Sequence, residues 1–217
     1  MTYIISNKYK IIKEIGEGSF GKVFLGNHIR TEYNIAIKIQ FKSIVNVLQH
    51  EAKIYKELVD VSSVPCLRNY GCDTGFHYLV LDLLDSTIDK VNLTKKECIE
   101  YFKKSIDILN DIHKKGIIHR DIKPDNFMLK ERNGKTELYL IDFGLAKRFI
   151  MNNKHIDEKK GKKMIGTIKY ASLNIHDGIE GSRRDDIISL CYTFISLYGK
   201  KLPWSELCDE IKNSNSN

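Results

Sequence analysis

Between residues 9 and 39, apolar side chains alternate with polar ones on either side of the run Gly16-Glu17-Gly18-Ser19-Phe20-Gly21, and at residue 47 the spacing becomes that of a helix. Alternation with a period of two puts one face of each strand on a core, and absent side chains let backbone amides approach a phosphate. Residues 9–25, together with Ile35, Ile37 and Ile39, therefore predict three β-strands whose first connection is the glycine loop. A GxGxxG run alone is weak evidence, because it also opens the helix of dinucleotide-binding folds. Here Lys22-Val23-Phe24-Leu25 reads as a strand, so the loop closes a hairpin and the dinucleotide fold is set aside.

Residues 47–58 carry an apolar stripe of Val47, Leu48, Ile54, Tyr55 and Leu58, with Glu51 in its middle. A carboxylate buried without a partner costs roughly several kcal/mol or takes up a proton. Lys38, beside Ala36 on the strand face opposite Ile35, Ile37 and Ile39, is the natural partner; the alternative is an unrelated pair of surface charges. A strand over 76–81 follows. A second long helix opens with a capping box, Thr94 and Glu97, and ends at Gly116. Its expected core face is Cys98, Phe102, Ile106, Leu109 and His113, with His113 read as a packing residue of no chemical role. Residues 127–129 and 138–141 read as a hairpin, and 186–198, apolar nearly all the way round, as a helix buried on every side. The pattern is one domain with a strand-rich part, about 1–81, and a mainly helical part, about 82–217.

With 217 residues, 42% hydrophobic and 29% charged, the chain has enough apolar surface for a real core, which excludes disordered and fibrous classes. Lys and Arg number 35 against 28 Asp and Glu, a net charge of +7 that suits anionic partners or simply a solvated basic surface. Nucleic-acid binding rests on that charge alone and is not favoured. Five cysteines without a CxxC pair or metal-ligand spacing point to a reducing interior, and no apolar run resembles a signal peptide or membrane span. A soluble intracellular protein without a membrane partner is expected.

The most specific pattern is His119-Arg120-Asp121-Ile122-Lys123-Pro124-Asp125-Asn126, followed after two short apolar runs by Asp142-Phe143-Gly144. At these residues the chain resembles the protein kinases, with their HRDxxxxN loop and DFG motif in the right order. The resemblance implies that Asp121 accepts the substrate hydroxyl proton, that Lys123 steadies the γ-phosphate and favours Ser or Thr, and that Asn126 and Asp142 hold Mg2+. It also implies that Lys38, held by Glu51, contacts the α and β phosphates of ATP. Ile15, Gly16, Gly18, Ser19, Gly21, Val23, Ala36, Leu81, Asp82, Leu84, Met128 and Ile141 would complete the nucleotide site.

Within that family, Gly166-Thr167-Ile168-Lys169-Tyr170-Ala171-Ser172-Leu173-Asn174 with Ser182-Arg183-Arg184-Asp185-Asp186 resembles the casein kinase I signature, where other kinases carry APE. Gly178-Ile179-Glu180, the hinge Leu81-Asp82-Leu83-Leu84 and Leu202-Pro203-Trp204 extend the likeness over nearly the whole chain. It implies an α+β, two-lobed kinase fold: an antiparallel sheet plus one helix in the N-lobe, then a mainly helical C-lobe truncated after its buried central helix. It further implies protein substrates whose target Ser or Thr lies in acidic or already phosphorylated sequence. Lys162, Lys163 and Lys169 would form the anion site, the alternative being solvated lysines; Lys169 stands where the family usually has Arg, which forgoes a bidentate phosphate contact. The central helix would need cover from a homodimer, a partner protein or a repacked lobe with a helix over 205–212, unless the chain is a truncated product. An active kinase is favoured over a kinase-fold regulatory module because Lys38, Glu51, Asp121, Lys123, Asn126 and Asp142 are all present.

Overall fold

The alternating segment forms antiparallel strands in the computed structural model, which describes residues 3–18, 21–42 and 45–208. β1 (Ile4–Ile5), β2 (Tyr9–Gly18), β3 (Gly21–His28), β4 (Asn34–Phe41), β5 (Leu67–Asp73) and β6 (Phe76–Asp82) make one sheet in the order β1-β2-β3-β4-β6-β5. Ile35, Ile37 and Ile39 point into a small outer cluster with Ile5, Tyr9, Phe76, Tyr78 and Val80. The opposite face, through Leu79, packs on Leu48, Ile54 and Tyr55 of the helix α1 (Val47–Glu57). Gly21, at φ 145°, is required where β3 begins, since a Cβ there would collide with the Ile39 carbonyl oxygen.

Beyond the sheet the chain runs through β7 (Ser86–Thr87) into α2 (Lys95–Lys114), β8 (Ile117–Ile118), the hairpin β9 (Phe127–Arg132) and β10 (Lys135–Leu140), and the short strands β11 (Lys147–Arg148), β12 (Ile150–Met151) and β13 (Lys154–His155). α3 (Leu173–His176) and α4 (Arg183–Leu197) follow. The expected capping box is present: Thr94 Oγ1 accepts the Glu97 N–H at 3.2 Å, and Glu97 accepts the Thr94 N–H at 2.8 Å. One large cluster joins α1, α2, Phe127, Phe143 and the α4 residues Leu190 and Phe194, so the helical part and the sheet share a core.

Two expected burial patterns are corrected. On α2 the buried stripe is Cys98, Tyr101, Ser105, Ile108, Leu109 and Ile112, whereas Phe102 and His113 are half-buried and Ile106 is 40% exposed. Ser105 takes the inner position because its hydroxyl is satisfied within the helix, donating to the Tyr101 carbonyl at 2.8 Å. On α4 only one face is buried, through Asp185, Asp186, Leu190, Thr193 and Phe194; Ile187 and Ile195 lie on an exposed face. Residues 205–208 are helical, and the rest of the expected 205–212 helix lies outside the described residues. Among the described residues no helix is long and apolar enough to cross a membrane.

The rotated stripe has a direct test. Leu109→Ala should cost about 2–5 kcal/mol, whereas Ile106→Ala should cost less than about 1 kcal/mol, measured by urea denaturation. Equal costs would return Ile106 to the core.

Candidate active site

β4 and α1 deliver the first charged cluster. Lys38 lies opposite Val23 of β3 and Leu79 of β6, on the strand face that meets α1. Its Nζ sits 2.9 Å from Glu51 Oε2 and 2.9 Å from Asp142 Oδ1. The stripe glutamate is therefore buried, at 1% exposure, and paired with the lysine expected from the sequence. Burial alone would lower the Lys38 pKa, but the two carboxylates more than offset it and hold the ammonium above the ordinary lysine value. Burial pushes the Glu51 carboxyl up against the pull of Lys38; it also pushes Asp142 up, but there Lys38 and the Gly144 N–H are among the groups that together outweigh it, leaving Asp142 below the usual carboxylate range.

The second cluster is built on the loop after β8. His119 is fully buried and bridges to Ile141 through Nε2, which donates to that carbonyl at 3.0 Å; Nδ1 is then the acceptor for the Asp121 N–H at 3.3 Å. The His119 and Arg120 N–H groups both donate to Asp186 of α4, each at 2.9 Å, and His113 Nε2 lies 2.9 Å from the same carboxylate. His113 is thus corrected from a packing residue to a polar partner of Asp186. Arg120 and Asp142 both hold positive φ, 68° and 64°, conformations that cost energy for residues with a side chain and so mark positions fixed by their surroundings.

Asp121 receives contacts on both carboxylate oxygens. Thr167 donates its hydroxyl to Oδ1 at 2.7 Å, and the Lys123 ammonium lies 2.8 Å from Oδ2. Lys123 also donates to Thr167 Oγ1 at 3.2 Å, closing a three-residue ring. Asn126 donates its amide to the Asp121 carbonyl at 2.8 Å, which turns the amide oxygen the other way, and its own carbonyl accepts the Ile141 N–H at 2.9 Å, next to Asp142. Gly166 lets Thr167 reach this ring, because a Cβ there would collide with the Arg120 carbonyl oxygen.

A buried ammonium between two carboxylates, a loop carboxylate fixed by a lysine and a threonine, and an adjacent Asn and Asp are parts of a phosphoryl-transfer site. A protein kinase domain model matches residues 9–216. The chain belongs to the protein kinase family.

Protein kinases use ATP and a divalent metal, and the side chains fit both. Asp142 and Asn126 offer hard oxygen donors of the kind magnesium prefers, and Lys38 is a fixed cation that could meet phosphate. Among the described residues no three His, Cys, Asp or Glu side chains form a metal cage. Of the other expected nucleotide contacts, strand register sets Val23 opposite Lys38 and Ala36 opposite Leu81. Gly16 and Gly18 lie on the exposed β2 edge, Ile15 is 46% exposed and Asp82 holds Arg68 at 2.6 Å. Leu84 is buried just before Asp85, whose N–H donates to Leu129 beside Met128. Ser19 lies outside the described residues.

The expected lysine trio is only partly brought together. Lys162 and Lys163 line a cavity of about 160 Å³ with Arg120 and Lys147, and Glu180 sits among them, 2.9 Å from Lys147 and 3.8 Å from both Arg120 and Lys162. Lys169 is not part of that lining; its ammonium lies 5.7 Å over the Tyr170 ring. Arg120, Lys147, Glu180, Thr167, Asp186 and His113 received no role from sequence. Asp186 was open to the argument that found Glu51, since it too is a carboxylate inside an apolar helix.

Lys38→Met should lower kcat by at least about 10²-fold, the scale of losing one electrostatic contact to transferring phosphate. It also removes the ammonium that pulls the Glu51 carboxyl down, so burial and the Asp142 charge raise that carboxyl further above its unfolded value. Stability falls with pH wherever the folded state binds more protons than the unfolded one. As pH rises above the ordinary carboxylate range the variant should lose more Tm by calorimetry than the parent, in which Lys38 offsets the charge; parallel profiles would overturn this account.

Proposed function

We propose that this chain is a protein Ser/Thr kinase of the casein kinase I type, moving the γ-phosphate of Mg-ATP to hydroxyls of protein substrates. The observation that carries the reading is the ring of Asp121, Lys123 and Thr167. When bound, ATP supplies the phosphoryl group and magnesium spreads its charge. Asp121 would orient the acceptor hydroxyl and take its proton as that oxygen bonds to the γ-phosphorus and the bond from phosphorus to the β,γ-bridging oxygen breaks, with ADP leaving. Lys123, within reach of Asp121, would stabilise negative charge on the phosphoryl oxygens, while Lys38 would steady the remaining phosphates and Asn126 and Asp142 would hold the metal.

The casein kinase I assignment draws its support from the segment that replaces APE. Ser172 and Asn174 donate to Asp185 at 2.7 and 3.1 Å, and the Ser182 N–H donates to the same carboxylate at 2.8 Å. Ser172, Asn174, Ser182 and Asp185 of the signature therefore work as one connector. A preference for acidic or phosphorylated targets is supported by the four cations that line one cavity with Glu180, where Arg120 and Lys147 join Lys162 and Lys163 in place of Lys169.

Transfer of labelled phosphate from Mg-ATP to casein by the purified chain, with Asp142→Ala as control, tests the activity. Asp121→Asn should cut kcat by about 10²- to 10⁴-fold while leaving ATP affinity, read by titration, nearly unchanged. Unchanged turnover in Asp121→Asn would remove this residue from the mechanism. ATP binding by the parent without transfer would favour a regulatory module.

A further inference from the structure

The turn that follows β10 is gripped from two sides. From the catalytic loop, Arg120 Nε donates to the Leu145 carbonyl at 2.7 Å. From α1, Tyr55 accepts the Asp142 N–H at 3.3 Å and Glu51 accepts the N–H of Phe143. A third α1 contact lies one residue before Glu51, where His50 Nε2 is 2.7 Å from the Ala146 carbonyl. A carbonyl only accepts, so this nitrogen carries the hydrogen. The Ala146 N–H closes the turn onto the Phe143 carbonyl at 3.1 Å, which fixes the direction of the acceptor.

We propose that His50 is a positioning residue for the Lys38–Glu51 pair, acting as a latch between α1 and the turn over 142–146. This rests on the kinase reading for its consequence in catalysis, though not for the latch itself. Because His50 and Glu51 are adjacent on one rigid helix, a rotation that draws Glu51 away from Lys38 also breaks the bond to Ala146. His50 is exposed and Ala146 is 1% exposed, so the histidine contributes through its hydrogen bond rather than through buried packing. At the far end of α1, Glu57 meets Arg148 of β11 at 2.7 Å, so both ends of the helix are tied to the same segment. Of the two ties to residues 146–148, His50 is the one nearer the pair.

Hydrogen–deuterium exchange and steady-state kinetics on the full 217-residue chain test this. In His50→Ala, amides of α1 and of residues 144–148 should exchange about five-fold faster, the change expected for one lost hydrogen bond. Amides of α2 should keep their rates. kcat should fall with the KM for casein unchanged, and His50→Gln, which keeps a donor at similar reach, should restore both readouts. Unchanged exchange in His50→Ala, acceleration across the whole chain, or failure of His50→Gln to restore would each overturn the latch. If the parent chain transferred no phosphate, the kinase reading would fail while the exchange rates still decided the role of His50.

Discussion

Lys38 ties three parts of the chain that nothing local would bring together: a strand of the sheet, the helix packed on it, and the turn after β10, with Asp142 lying 104 residues further along the sequence. Each group is costly to bury alone. An isolated ammonium or carboxylate in an apolar core forgoes several kcal/mol of hydration, roughly, and the cost is offset only when the partners meet at hydrogen-bond distance. Glu51 is the most deeply buried of the three, so α1 sits correctly only with Lys38 beneath it. The same demand explains why the helix can carry a charge in its apolar stripe without losing its place on the sheet.

A second buried acid does for the helical part what Glu51 does for the sheet. Asp186 accepts two successive backbone N–H groups of the loop that bears Asp121, and its neighbour Asp185 accepts from Ser172, Asn174 and Ser182. Arg120 can then hold a positive φ, because the hydrogen bonds from its own N–H and its predecessor's fix the backbone there. Two adjacent carboxylates at the start of α4 thus set both the catalytic loop and the segment that carries Thr167 to it. Helix N-termini favour negative charge, which makes this end of α4 a favourable place for the pair.

The strands β2, β3, β4 and β6, the hairpin β9–β10, the capping box of α2 and the pairing of Lys38 with Glu51 were legible because each follows from local pattern or from the cost of a lone buried charge. Lys38 and Glu51 are the clearest case. The inner face of α2 was not legible, because Ser105 hides its polarity by bonding to Tyr101 within the helix, and a reading by hydrophobicity selected Ile106 instead. His113 was misread for a related cause: its partner Asp186 lies 73 residues away, and nothing near His113 in sequence announces it. For α4, composition gave apolar residues on all sides, while the fold buries only the side that faces α2 and the catalytic loop.

Thr167 shows how far the geometry of such a site depends on what is missing rather than on what is present. Its hydroxyl reaches Asp121 only because residue 166 has no Cβ and adopts φ 93°, bringing two distant segments into backbone contact. Any side chain at that position would have to displace the Arg120 carbonyl, and Arg120 is itself anchored through Asp186 and Leu145. The threonine, the lysine and the aspartate are therefore not three independent contacts. They form one unit whose alignment is inherited from a glycine on one side and a buried carboxylate on the other.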